Sequence, residues 1–319
     1  MNFRSLDDLT SVIRRNLHRL PHDIDAVVGI PRSGLVPASV IALHRNVMLT
    51  DVEGFVAGRA FAPGTTREKP HLRADPSTWN KVLLVDDSVL SGNTFAKVRE
   101  RIRAAGTRAR IMTCAVFGTR PVHDTVDVVF DVCEQPRIFE WNLFHHEHLS
   151  RCCMDIDGVL CVDPLPEEND DGQRYAQFLK SAVPLLVPSV RVGTLVSSRL
   201  ERYRAETEDW LARHGVLFDE LRLLDLASAE ERRRLKPYAE FKAAVYKSKP
   251  QHHLFIESDL EQAARIAELS HRSVLCVNGM TFFPEGKVVT LQRTLRKKRQ
   301  SLARLFGWPV ASGAAAGTK

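Results

Sequence analysis

The chain predicts an α/β protein of two domains, each a mainly parallel sheet with helices on both faces. Three observations carry this. Short apolar strands alternate with stretches of helical periodicity, the pattern of crossover-connected parallel sheets. The alternation stops near residues 145–151 and then restarts. With 319 residues and 44% hydrophobic content the chain can bury two cores of ordinary size. In order, the periodicity predicts a helix over Phe3 to Leu20, a strand over Ala26 to Ile30, a helix over Val36 to His44 and a strand over Val82 to Val85. A helix over Thr94 to Ala105 and a strand over Ile111 to Phe117 complete the first half. After the break come a strand over Cys152 to Ile156, a helix near Tyr175 to Val183, a strand over Val190 to Val196, and helices over Leu200 to His214 and Lys236 to Tyr246. The series ends in a strand over Leu254 to Glu257, a helix over Leu260 to Ser270 and a strand over Val274 to Val277. The expected domains are 1–148 and 149–289, followed by a basic tail, 290–319.

Composition narrows the function classes. No apolar run approaches the length of a membrane span, and the N-terminus MNFRSLDDLTSVIRRNL is too charged for a signal-peptide core, so a cytoplasmic protein is expected. Six cysteines, at 114, 133, 152, 153, 161 and 276, show no CxxC spacing and sit in strand-like runs, which reads as reduced core residues rather than zinc ligands or disulfides. The net charge of +6 favours acidic partners such as phosphates, but much of it is local to Leu291 to Arg304.

The stretch KVLLVDDSVLSGNTF, Lys81 to Phe95, sets Asp86 and Asp87 at the carboxyl end of a strand, where open parallel sheets bind ligands. Ser91, Gly92, Asn93 and Thr94 follow as a small, hydroxyl-rich turn into a helix, a cradle for a phosphate through free N–H groups and the helix dipole. The two acids then face a metal or a vicinal diol, whose hydroxyls carboxylates accept. This stretch resembles the phosphoribosyl pyrophosphate (PRPP) signature of type I phosphoribosyltransferases, with Ser91 where Thr is usual. VVGIPRSGLVPA, Val27 to Ala38, resembles that family's pyrophosphate loop at Ile30 to Gly34, which adds Arg32, Ser33 and Gly34 to the substrate-binding set. The resemblance implies PRPP as donor, Mg²⁺ bridging the leaving pyrophosphate, and Arg32 neutralising it in an oxocarbenium-like transition state. The long loop with Arg59, Arg67, Lys69 and Arg73 matches, by position, the family's closing loop. Two segments are candidates for the acceptor-holding hood, Phe3 to Leu20 and Gln135 to His146. In the second, Phe139, Trp141 and Phe144 could stack on a base or sugar or pack the domain seam. The run His145 to His148 lacks a distant fourth ligand and reads as linker surface.

In the second half, MDIDGVL ends an apolar strand at Asp155, with Asp157 two residues on and Gly158 permitting a sharp turn. VGTLVSSR places Ser197 at a strand end, EFKAAVYKS carries Lys242 with Lys236 as alternate, and FIESDLEQA ends a strand at Glu257 with Asp259 beyond. These four elements, in order, resemble the haloacid dehalogenase (HAD) superfamily in its phosphotransferase branch. The resemblance implies Asp155 as nucleophile, Asp157 as acid and base, Ser197 on the phosphoryl group, Lys242 as the charge-balancing cation, and Mg²⁺ on Asp155, Asp157 and Glu257 or Asp259. The ESD sequence departs from the common GD or DD. Little chain is available for a lid, so an open site is expected.

The fold class is thus two Rossmann-like domains, a type I phosphoribosyltransferase fold and a HAD-like fold with a minimal cap. The expected function is transfer of 5-phosphoribose to an acceptor, followed by removal of the 5-phosphate. Fusions of this layout resemble enzymes of bacterial ribofuranose-glycan synthesis, which makes a glycan or lipid-linked glycan hydroxyl the first choice of acceptor. Nucleobase salvage coupled to 5′-nucleotidase action, and a PRPP sensor without turnover, are the alternatives. A homodimer is a candidate assembly. The segment Thr290 to Trp308 places leucines on one helical face and cations on the others, fitting either a packed helix or peripheral contact with the inner membrane face. Nucleic acid is not expected without aromatic platforms beside the cations.

Overall fold

The structure, a computed structural model, describes residues 1–62, 72, 74–120 and 125–286. The tail segment Thr290 to Trp308, read as either a packed or an interfacial helix, and the loop cations Arg67, Lys69 and Arg73 lie outside these residues. The chain divides into two compact units, Asn2–Trp141 and a second beginning at Asn142.

In the first unit, Ser5 decides where the expected Phe3–Leu20 helix begins. Its side chain accepts from Asp8 N, and Asp8 returns the bond to Ser5 N, a capping box. Residues before the cap form a short strand instead, β1 (Asn2–Arg4), then α1 runs Leu6–Asn16 and ends in a 3₁₀ turn at Leu17–Arg19. There follow β2 (Ala26–Gly29), α2 (Leu35–Arg45), β3 (Met48–Asp51), α3 (Val52–Val56), β4 (Lys81–Ser88), α4 (Asn93–Ala104), β5 (Arg110–Gly118), β6 (Val128–Val132) and β7 (Arg137–Phe139). The main sheet is parallel in the order β3-β2-β4-β5-β6, while β7 pairs with β1. Strand alternation sorts the core. Val27, Leu83 and Val85 join Leu9, Ile13 and Ile41 of α1 and α2 on one face. Ala26, Val28, Val82 and Leu84 join Phe55, Phe95 and Ile102 of α3 and α4 on the other. Strand order reverses direction between β2 and β4, so their carboxyl ends open a crevice there.

The second unit holds β8 (Cys152–Met154), α5 (Gln173–Ser181), β9 (Val192–Leu200), α6 (Arg204–Arg213), β10 (Phe218–Leu224), α7 (Ala229–Leu235), α8 (Tyr238–Lys247), β11 (Leu254–Glu257), α9 (Leu260–Ser270), β12 (Val274–Cys276) and β13 (Thr281–Phe283). Its sheet runs β10-β9-β8-β11-β12-β13, all parallel except β13. The reversal here lies between β8 and β11. α8 and α9 pack one face through Ala243, Tyr246, Ala263 and Ile266. All six cysteines are buried and free. Among the described residues no helix is long and apolar enough to cross a membrane.

Candidate functional site

In the first unit, β4 carries the paired acids to the crevice. Asp87 is buried and its two oxygens are already held: Oδ1 accepts from Ser33 Oγ at 3.0 Å, and Oδ2 from the indole N–H of Trp141 at 2.7 Å. Asp86 Oδ1 accepts from Asp87 N at 2.8 Å. Burial, reinforced by the charge of Asp87, pushes the Asp86 carboxyl up to about 8. Such a diacid fits hydroxyl donors or a cation, the two partners that relieve its repulsion. The loop after β2 comes close because Gly34 has no side chain. A Cβ there would lie 2.5 Å from Ile30 O and 2.9 Å from Asp86 Oδ1. Arg32 stands exposed on that loop.

The turn after β4 leads into α4 with Gly92 at the N-cap and no side chain capping it, apart from Ser91 Oγ at 3.4 Å from Asn93 N. Ser91, Asn93 and Thr94 are exposed, so the helix N-terminus is open to an anion. The nine substrate-binding candidates of this unit, Arg32 to Gly34, Asp86, Asp87 and Ser91 to Thr94, thus fall on the end of β4 and on the two turns beside it, around one crevice. Arg59 lies exposed, its N–H and carbonyl tied to Gly54 and Thr50.

In the second unit, Asp155 follows β8 and Glu257 ends β11, across the reversal point. Between them lies Lys242 Nζ, 2.7 Å from Asp155 Oδ2 and 2.8 Å from Glu257 Oε2, itself only 2% exposed. Burial pushes the Asp155 carboxyl up, against the pull of Lys242; the two carboxylates in turn push Lys242 up against its own burial. Lys236, the alternate, is an exposed left-handed residue ending α7. The turn to Asp157 needs Gly158, which has φ +73° and whose Cβ would meet Ser258 Oγ at 2.3 Å. A cavity of about 400 Å³ opens there, lined by Asp155, Asp157, Ser198, Arg232 and Lys242 among others.

Three of these candidates already hold partners in the protein. Ser197 is fully buried and spends its hydroxyl on Asp157 at 3.4 Å and on the Arg199 N–H at 3.2 Å; Ser198, on the opposite face of β9, is among the residues lining the cavity. Asp157 is clamped by buried Arg199, with Nη2 at 2.6 Å and Nε at 3.1 Å. Burial would raise its carboxyl, but Arg199 outweighs burial and holds it below the usual range, which unsuits it as a proton donor. The expected Mg²⁺ set is not assembled: among the described residues no group of three or more His, Cys, Asp or Glu could hold a metal ion. Asp157 is taken by Arg199, Glu257 by Lys242 and two backbone N–H groups, and Asp259 by the N-cap of α9, where it accepts from Gln262 N at 2.7 Å.

With that geometry, the comparisons separate the halves. Residues 3–147 match the phosphoribosyl transferase domain family. The first unit is thus similar over its length to a phosphoribosyl transferase domain. The chain is 35% identical over 102 residues to the xanthine-guanine phosphoribosyltransferase of Chromohalobacter salexigens, which is 32% of this chain and 61% of that protein. It therefore spans less than two thirds of this curated relative. Solved structures of a purine phosphoribosyltransferase from Pyrococcus horikoshii and of the Helicobacter pylori xanthine-guanine-hypoxanthine enzyme align with 18% and 16% identity. Each covers 44% of this chain and 92% of the other, at a TM-score of 0.32.

Around the first unit's crevice, the aromatic candidates divide. Phe139 is buried and stacks on Trp141, ring centroids 4.8 Å apart and planes 2° from parallel, and on Phe117 at 5.5 Å. Trp141 is half-buried and reaches Asp87, a contact with no signal in the sequence. Phe144 falls in the second unit, where its carbonyl accepts from Ser189 N. Arg137 was also missed. Buried, it ties the carbonyls of Cys133 and Val89 and so fixes the start of the Ser91–Thr94 turn. Of the histidine run, His146 caps a 3₁₀ turn and His145 meets Ser189.

Proposed function

We propose that the chain transfers 5-phosphoribose from PRPP to an acceptor, releasing pyrophosphate, and that the second unit then removes the 5-phosphate. The observation that carries the first step is the Asp86–Asp87 pair at the β2/β4 crevice, between an open helix N-terminus and the Ile30–Gly34 loop. The 5-phosphate sits on the Ser91–Thr94 turn and the ribose diol donates to the two carboxylates. PRPP is taken as its Mg²⁺ complex, in which the metal offsets charge on the pyrophosphate. Arg32 adds a cation to the leaving oxygens. The C1–O bond to pyrophosphate breaks with its electron pair going to the leaving group, the acceptor oxygen or nitrogen bonds to C1, and the acceptor's proton passes to solvent.

In the second step an Asp155 oxygen attacks phosphorus and the P–O bond to the sugar breaks. Lys242 holds the buried charge beside the nucleophile. Since Arg199 keeps Asp157 ionised, the leaving oxygen takes its proton from water in the open cavity, and a second water then cleaves the acyl phosphate.

The acceptor of first choice is a glycan hydroxyl, free or lipid-linked, because a tethered phosphatase turns phosphoribosylation into net ribosylation. A nucleobase acceptor is the second reading, favoured by the similarity to a xanthine-guanine phosphoribosyltransferase. Incubating the protein with Mg²⁺-PRPP and a panel of glycans and bases, and reading product masses, tests both. Absence of pyrophosphate release with every acceptor offered would overturn the transferase reading in favour of a PRPP sensor.

A further inference from the structure

Arg232 projects from the seven-residue helix α7 and is 6% exposed. Its Nη1 donates to the Ser198 carbonyl at 2.8 Å and its Nη2 to Asn169 Oδ1 at 2.9 Å. Both partners are neutral, as is the Tyr175 hydroxyl that the side chain also approaches, and among the described residues the ion pairs do not include Arg232. A guanidinium stripped of water without a carboxylate is costly, so such groups normally face an anion. Nε is the part left over: it is buried and has no hydrogen-bond partner. The Ser198 hydroxyl is in the same condition. Only four buried side-chain polar atoms are unpartnered among the described residues, and two of them belong to residues lining the cavity beside Asp155. Lys242 cannot serve here, since Asp155, Glu257 and Gln262 take its three N–H donors.

We propose that Arg232 Nε and Ser198 Oγ are the seat of a phosphate group, held on the cation side of this cavity, with Asn169 and the Ser198 carbonyl fixing the guanidinium. The inference rests on the reading of the second unit as a phosphatase and names the group that its substrate must present. Arg232 is a binding residue of that site, and no sequence pattern marks it. A phosphate fits better than a carboxylate because its tetrahedral oxygens can meet two donors while phosphorus stays open to the nucleophile. Guanidinium-to-phosphate bonds are among the stronger hydrogen bonds in proteins.

The test is calorimetric titration of the full chain with inorganic phosphate. It uses a background of Thr94→Glu, which puts a carboxylate at the competing phosphate turn of the first unit. Arg232→Gln should weaken phosphate binding by about tenfold or more, the scale of one charge-assisted bond, and Arg232→Lys should restore part of it. Acetate should compete at least about tenfold less well. If Arg232→Gln loses its melting transition, Ser198→Ala decides, because it removes the other donor and spares both bonds of Arg232; it too should weaken binding. Affinity unchanged within about twofold in the folded variants, meaning that water alone fills the site, or acetate binding as tightly as phosphate, overturns the proposal. Because the readout is binding, Arg232-dependent phosphate affinity without any turnover would sink the phosphatase reading and leave this site standing. Hydrolysis lost in Asp155→Asn with Arg232→Gln indifferent to phosphate would do the reverse.

Discussion

At the residue scale, what could be read in the sequence was acidic pairs and small turns; what could not was the partner each acid acquires. Asp86 and Asp87 announce a polar site by adjacency alone. That Asp87 is anchored by Ser33 and Trp141, each 54 residues away, depends on folding. The pair has an energetic consequence. Because burial and Asp87 raise the folded-state value of Asp86 to about 8, the ionised form is penalised in the folded protein. The associated stability is fully present below the unfolded value near 3.8 and is lost as pH rises through about 8. Asp86→Asn cannot ionise and keeps an oxygen for the Asp87 N–H. It is expected to match wild type near pH 4 and exceed it by on the order of a few kcal/mol above pH 8, read as the gap in calorimetric unfolding of the first unit. A gap that shrinks with rising pH would refute the assignment. The same variant should lose donor binding, a stability gain at the expense of function.

At the element scale, the strands and helices with clear periodicity were legible almost to the residue, as β11 and α9 show. Those that were missed are short or polar. β3 has four residues, β10 (FDELRLL) alternates charged with apolar residues at its open edge, and α7 (AEERRRL) offers little apolar face. The register of β9 shows how much one residue decides. Ser197 and Arg199 share the face that meets Asp157, so Ser198 takes the face toward the cavity. Two variants check the elements. Lys242→Met strands Asp155 and Glu257 as buried unpaired carboxylates and should destabilise the second unit by about 3–5 kcal/mol in denaturant titration. Leu83→Ala opens a cavity at the centre of β4, where Leu83 is fully buried, and should cost the first unit about 2–5 kcal/mol. A loss under about 1 kcal/mol in either would mean the site relaxes freely around the change.

At the scale of the whole molecule, the chain sets two crevices at two strand-order reversals, one with acids beside an open helix N-terminus and one with acids locked to buried cations. The first needs donor hydroxyls to relieve Asp86, whereas in the second Lys242 and Arg199 already supply the counter-charge. The two chemistries should therefore be separable by single changes. Asp155→Asn removes the proposed nucleophile with little change in volume. It should leave pyrophosphate release from PRPP intact while the isolated product gains the mass of one phosphoryl group over the wild-type product. Replacing Asp86 and Asp87 together with Asn should abolish pyrophosphate release while the protein still hydrolyses an added phosphorylated product. If wild type and Asp155→Asn yield the same phosphorylated product, the second unit does not act on what the first one makes, and its cavity serves some other phosphate.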